Sequence, residues 1–233
     1  MLDFALWNRL LQAYVDAEGA VDYRRWQAEA KSDLEDWLAT LDGLETDPLA
    51  DDDKLALLIN LYNALVVQQI LQRYPLKTIR PQILGIPNWV AFLYFFMKPV
   101  HRLDHRRLSL NALEHDVLRQ QFQEPRIHFA LVCASVGCPR LRNEAYWPDR
   151  VRSQLDADAQ LFINNPDKVR YDRDHQVLYC SKIFKWYEAD FLQVAPSVTA
   201  YIQRYWQSEP QPDSQAAIAY LPYDWSLNQR TSS

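Results

Sequence analysis

Leu2, Leu6, Trp7, Leu10, Leu11, Tyr14 and Val15 recur at helical spacing, and Leu34, Trp37, Leu38 and Leu41 repeat the pattern after Asp33. Two amphipathic helices therefore open the chain. From about Lys54 to Gln72 nearly every side of the next helical segment is apolar. A helix with no polar face is stable only when enclosed, so this one is placed at the centre of the fold. Pro75, Pro81 and Pro87 break the following stretch into loop, and the aromatic run Trp89 to Phe96 fits neither the helical nor the strand period.

Val100 to Leu110 reads as a hairpin turning near Asp104-His105, and Asn111-Ala112-Leu113-Glu114 has the spacing of a capping box that opens a short helix. Ile127 to Ala134 is a continuous apolar run of strand length and reads as a buried strand. Trp147, Val151, Leu155, Ala159 and Phe162 mark a helix with Pro148 in its first turn. A second hairpin pairs Val169 to Tyr171 with Val177 to Cys180. Ser181 caps a helix carrying Ile183, Phe184, Tyr187 and Phe191, and Val198, Tyr201, Ile202, Tyr205 and Trp206 define the last helix. Residues 208–216 are linker-like, and the aromatic segment from Tyr220 to Trp225 docks back onto the body. With no internal repeat and no domain boundary, the expected architecture is one α+β domain over residues 1–233, mostly helical, with a small antiparallel sheet.

Composition narrows the function. The net charge of −5 leaves no electrostatic footprint for nucleic acid, and no glycine-rich nucleotide fingerprint is present among the 4 glycines. The N-terminus lacks the features of a secretory signal and no apolar run reaches bilayer length, so the expectation is a cytoplasmic protein without a membrane partner. Three cysteines in that setting are expected to be reduced thiols.

Chemistry concentrates in one region: two of the five histidines and two of the three cysteines fall between Glu114 and Cys138. On an extended strand His128 and Cys133 point to opposite faces, which leaves Cys133 in line with Ile127, Phe129 and Leu131. Cys138 follows the turn at Val136-Gly137 and precedes Pro139, Arg140 and Arg142, a setting that favours thiolate. Cys138 is thus the candidate nucleophile, with His128 or His115 as base and Glu114 in the same site. Asn60, Asn63, Ser135 and Arg140 are candidates for holding substrate or orienting an imidazole. Each also has a plain structural use: Glu114 as a capping residue, the two asparagines as ties between the central helix and a loop, and His128 as a donor to a loop carbonyl. The opposed faces of His128 and Cys133 argue against a shared metal, and no metal or cofactor is expected.

The segments Ile59 to Leu65, Leu108 to Leu110 with Leu113-Glu114-His115, and Arg126 to Leu131 with Cys133-Ala134-Ser135 and Gly137-Cys138-Pro139 resemble the domain-of-unknown-function 547 family. So do Leu178-Tyr179, Ser181 to Tyr187 and Leu221 to Asn228, and together these blocks span about residues 21–228 in the family's order. Val132 stands where relatives often carry Asn, and Asn111-Ala112 replaces a more acidic pair. The resemblance implies no reaction. Plant proteins of this kind carry glutaredoxin-like modules beside the domain, which implies a thiol-redox context. The leading expectation is a thiol-dependent hydrolase or transferase acting on an amide or peptide bond of a small-molecule or peptide ligand. The alternative is a non-catalytic ligand-binding or scaffold domain, or a thiol-redox accessory domain.

Overall fold

Three short helices open the chain, α1 (Ala5–Tyr14), α2 (Tyr23–Glu29) and α3 (Lys31–Thr40), in a computed structural model that describes residues 2–83 and 86–230. Their aromatic residues make one cluster, with Trp7 stacked on Trp37 at 5.6 Å and Tyr14 on Trp26 at 5.1 Å. α4 (Asp51–Leu71) runs through the middle, with Asp51, Asp52 and Asp53 in its first turn, where the helix dipole favours negative charge. It is long and apolar enough to cross a bilayer by length and composition, but it is enclosed by the protein. The all-round apolar pattern is satisfied here by packing on every side.

The stretch read as loop contains a minimal antiparallel pair, β1 (Gln82–Ile83) and β2 (Ile86–Pro87), whose connecting Leu84 and Gly85 lie outside the described residues. α5 (Trp89–Met97) resolves the aromatic run as a helix, its first turn capped by Asn88, whose side chain accepts from the Ala91 N–H at 3.1 Å. β3 (Pro99–Leu103) and β4 (Arg106–Ser109) form the expected hairpin. Asp104 and His105 at its turn both have positive φ, 47° and 60°, which suits the twist of paired strands.

Next comes a composite helix: α6 (Leu110–Ala112), a π-helical stretch (Leu113–Leu118) and α7 (Arg119–Phe122). Its cap is Ser109, whose Oγ accepts from the Ala112 N–H at 3.1 Å, so the capping box expected at Asn111 does not form and the Glu114 carboxylate is free for another use. The expected strand over 127–134 is also absent. Pro125 and the Glu124 side chain start a 3-10 turn (Pro125–Phe129) instead. The groups a strand would pair go to a side chain: Asn63 donates to the Ala130 carbonyl and accepts from the Val132 N–H, each at 2.9 Å.

α8 (Val151–Ile163) starts beyond Pro148, and no helix follows Cys138 directly. β5 (Val169–Asp172) and β6 (Val177–Cys180) make the second hairpin. The helix expected over 183–191 is split at Tyr187 into α9 (Ile183–Trp186) and α10 (Glu188–Leu192). α11 (Val198–Gln203) precedes the linker-like segment, and β7 (Ala217–Tyr220) then lies parallel to β6 as the third strand of that sheet. Phe129 joins this half to the rest, packing with Phe162, Phe184, Phe191 and Tyr201 at centroid distances of 5.0–6.3 Å. A buried phenylalanine of this kind is worth roughly 1.5–3 kcal/mol.

Candidate functional site: a paired-cysteine loop beside a carboxylate and tyrosine cluster

The loop from Cys133 to Cys138 is held from several sides. Asn63 fixes its approach from α4, while the C-terminal segment fixes its body: Asn228 N–H donates to the Ala134 carbonyl, Val136 N–H to Ser226 and Gly137 N–H to Asp224. Ala134 sits at φ +62°, a left-handed conformation costing about 1–2 kcal/mol for a residue with a Cβ. Gly137 is required for a different reason. A Cβ there would lie 2.8 Å from the Asp224 carbonyl oxygen and 2.8 Å from the Tyr223 ring, so only a glycine lets that ring lie against the loop.

This geometry brings the two sulfurs together as a disulfide. The expectation of reduced thiols rested on the cysteine count and the cytoplasmic setting, and the structure pairs two of them; the expectation of Cys133 in line with the core residues rested on strand alternation, which is lost with the strand. Cys138 Sγ receives two further donors, the Cys133 backbone N–H at 3.0 Å and the Tyr223 hydroxyl at 3.1 Å. Burial pushes the Tyr223 hydroxyl well above the ordinary tyrosine range, so it remains a donor at neutral pH. Ser135, fully buried, brings its Oγ to 3.2 Å from Cys133 Sγ and 3.4 Å from the Tyr223 hydroxyl. Cys180, the third cysteine, is a buried free thiol whose pKa burial pushes up to about 12.

Lys168 closes the loop from below, its ammonium donating to the Val136 carbonyl at 2.6 Å and the Cys138 carbonyl at 3.0 Å. Burial pulls its pKa down to about 8, against the pull of Asp167 and Asp224. A cleft of about 740 Å³ opens along this edge, lined by Cys138, Arg140, Lys168, Asp158, Asn165 and Asn228 among others. Arg140 anchors itself there by donating to the Ala17 carbonyl at 2.9 Å.

The histidines and Glu114 form a second cluster. The π-helical stretch turns Glu114 inward, where its carboxylate accepts from the Tyr187 hydroxyl at 2.6 Å and the Tyr62 hydroxyl at 3.1 Å. Widened turns of this kind recur where a helix must aim one side chain off its regular face. His128 is buried, stacked face to face on Tyr187 at 3.7 Å, with Nε2 2.7 Å from Asp190. Burial holds the imidazole neutral by lowering its pKa, against the opposing pull of Asp190, so Nε2–H is the donor. Burial would raise the Asp190 carboxyl, but hydrogen bonds from His128 and Arg119 outweigh it and hold Asp190 far below the usual carboxylate range. Arg119 grips the same carboxylate through two nitrogens at 2.7 and 2.8 Å and reaches His115 Nδ1 at 2.8 Å with its third.

His115, His128 and Glu114 are thus brought into one neighbourhood. Among the described residues no hydrogen bond joins either sulfur to a histidine. The imidazole of His128 lies against Tyr187, and the sulfur of Cys138 takes the hydroxyl of Tyr223. Asn60 accepts from Trp7 Nε1 and the Tyr146 N–H and donates to the Tyr146 carbonyl, so its carboxamide serves the fold, as that of Asn63 does. Among the described residues no group of three or more His, Cys, Asp or Glu side chains is placed to hold a metal. Sequence reasoning missed Tyr62, Tyr187, Asp190, Arg119, Tyr223 and Lys168. Tyr187 and Tyr223 lay inside the segments that resemble the 547 family, a signal that could have found them.

No curated protein and no solved structure matches the chain. The model of the family described as a protein of unknown function, DUF547, matches residues 46–163, just over half of the sequence, from α4 through Glu114, His128 and both paired cysteines to the end of α8, and the chain belongs to that family.

Proposed function

We propose that the Cys133–Cys138 pair is the working group of this protein and that it undergoes thiol–disulfide exchange with a small-molecule or peptide thiol. The observation that carries this reading is the pair itself, set beside a cleft, with two fixed donors on the sulfur of Cys138. Cys133 is the more exposed partner. An incoming thiolate attacks Cys133 Sγ, the Cys133–Cys138 bond breaks, and its electron pair stays on Cys138 Sγ. Exchange is faster when the leaving thiolate is stabilised, and here the Cys133 N–H and the Tyr223 hydroxyl are the stabilising donors. A second thiol of the reductant then displaces Cys133, which takes up a proton. The reductant is left as a disulfide and the protein as a dithiol, and the reverse sequence reduces a substrate disulfide.

A cytoplasmic location belongs to the same proposal, since a pair in a reducing compartment would cycle and would not stay permanently closed. The hydrolase reading has one observation in its favour, the His128–Asp190 hydrogen bond, which is the base-and-orienter half of a catalytic triad. It requires a free thiolate at an imidazole. His128 spends Nε2 on Asp190 and one ring face on Tyr187.

Stopped-flow reduction of the oxidised protein by dithiothreitol, quenched by alkylation and read by mass, separates the two. Hydrogen bonds to a charged group are worth about 1.5–3 kcal/mol, so Tyr223→Phe should slow reduction at least tenfold, and Cys138→Ser, given glutathione disulfide as substrate, should trap a mixed disulfide on Cys133 with release of one glutathione thiolate. Equal rates for Tyr223→Phe and wild type would defeat the exchange reading. A burst of acylation by an activated ester, on the reduced protein and lost in His128→Ala, would establish the hydrolase in its place.

A further inference from the structure

α5 is apolar on both faces. Phe92, Phe95 and Phe96 pack inward, Phe92 edge-on to Trp225 at 5.1 Å, and Gln69 of α4 donates to the Phe95 carbonyl at 3.0 Å. The opposite face carries Trp89, Val90, Leu93, Tyr94 and Met97, each more than half exposed. Their spacing of i, i+1, i+4, i+5 and i+8 puts all five on one side. Such a continuous exposed stripe of large apolar side chains is uncommon on a protein that has nothing to place against it.

The charge around this stripe departs from that of the rest of the chain. Residues 73–107 hold seven Lys and Arg against a single acidic residue, leaving 18 basic and 29 acidic residues elsewhere. Three of the seven lie on the α5 aromatics themselves: Arg80 over Trp89 at 5.7 Å, Lys98 over Tyr94 at 5.6 Å and Arg73 over Phe95 at 5.4 Å. Arg102 pairs with Asp42. Among the described residues Arg73, Lys77, Arg80, Lys98, Arg106 and Arg107 have no carboxylate partner. A net-acidic protein has therefore gathered unneutralised cations around its most exposed apolar helix.

We propose that α5 and the adjoining β3–β4 hairpin dock this protein peripherally on an anionic lipid surface. The helix lies in the plane of the interface, with Val90, Leu93 and Met97 among the acyl chains. Trp89 and Tyr94, whose rings have one apolar and one polar end, sit at headgroup depth. The cations meet lipid phosphates, and Lys98 reaches past its apolar stem to do so. The expectation of no membrane partner was argued from spanning alone; α4, the helix long and apolar enough to span, is enclosed by the protein, and a surface helix needs no such length.

The test is co-sedimentation of the full chain with vesicles of 70% phosphatidylcholine and 30% phosphatidylserine, and with phosphatidylcholine alone, at 0.15 M salt. Binding to the anionic vesicles is expected to be at least tenfold tighter than to the neutral ones. It should be lost in Leu93→Glu and weakened about fivefold for each charge removed in Arg106→Gln and Arg107→Gln. Circular dichroism melting confirms that these exposed-site variants fold. No binding of the wild type at 1 mM lipid, or binding unchanged in Leu93→Glu, would overturn the proposal. A concentration-dependent dimer in sedimentation velocity, abolished by Leu93→Glu in the absence of vesicle binding, would also overturn it by assigning the stripe to a second copy of the chain.

Discussion

Replacing Asn63 by alanine isolates the contact that converts an apparent strand into the loop that carries the cysteines. The side chain is 3% exposed and satisfies two backbone groups, the Ala130 carbonyl and the Val132 N–H, at 2.9 Å each. Alanine leaves both groups buried without a partner. Each orphaned group costs about 1–3 kcal/mol, and partial relaxation of the loop brings the expected loss to about 3 kcal/mol. For a chain of this size, each kcal/mol is roughly 2–4 °C in Tm, so a fall of roughly 6–12 °C follows. Urea unfolding followed by circular dichroism gives the free energy directly, with an unchanged m-value confirming that the folded state stays compact. Asn60→Ala is the control. It removes three buried bonds to Trp7 and Tyr146, and should cost as much stability without altering the rate at which the Cys133–Cys138 pair is reduced. Asn63→Ala should raise that rate as well. A loss below 1 kcal/mol, or equal reduction rates in the two variants, would refute the claim that Asn63 sets the loop.

Asp190→Asn should cost about 2–4 kcal/mol at pH 7, because it removes the charge that pairs with Arg119 and turns one of the two acceptor oxygens into an NH2 that faces a donor. Asp190 has its pKa depressed by folding, so its contribution is present above the ordinary carboxylate range and disappears as the pH falls below it. The gap between wild type and variant in denaturant titrations should accordingly close below about pH 4. Lys168 follows the same sign in a higher pH window. Its folded pKa of about 8 lies below that of the unfolded chain, so the unfolded state binds more protons above pH 8, and the stability of the wild type relative to Lys168→Met should rise between pH 8 and 10. Gly137→Ala drives a Cβ against the Asp224 carbonyl and the Tyr223 ring; a loss of about 1–3 kcal/mol and at least tenfold slower reduction of the disulfide are expected in melts and alkylation kinetics.

Much of the scaffold could be read from residue pattern. α4 was legible because sixteen of its residues are buried and its sequence has no polar face to mislead. The hairpins at 99–109 and 169–180 were legible because polar turns separate short β-prone runs. Ile127 to Ala134 misled for a physical reason: continuous burial looks the same whether backbone groups pair with a strand or with a side chain, and here Asn63 supplies the pairing from far along the sequence. That error carried over into the site, since strand alternation assigned Cys133 to the core face, whereas the loop that replaces the strand's end, with Ala134 left-handed, brings it to Cys138. Tyr187 was read as one more apolar position on a continuous helix. The break after Trp186 places it between Glu114 and His128. Asp190 and Lys168 carry no local sequence mark, because what defines them is the element packed against them.

Whether Cys133 and Cys138 form one exchangeable pair is decided by equilibrating the protein in dithiothreitol buffers of graded poise, then denaturing, alkylating and weighing it. With oxidant in excess one thiol, Cys180, should be alkylated and the peptides of Cys133 and Cys138 should stay joined; as reductant increases, the other two should become alkylated together in a single two-electron step. Three alkylated thiols at every poise would mean that Cys133 and Cys138 do not pair.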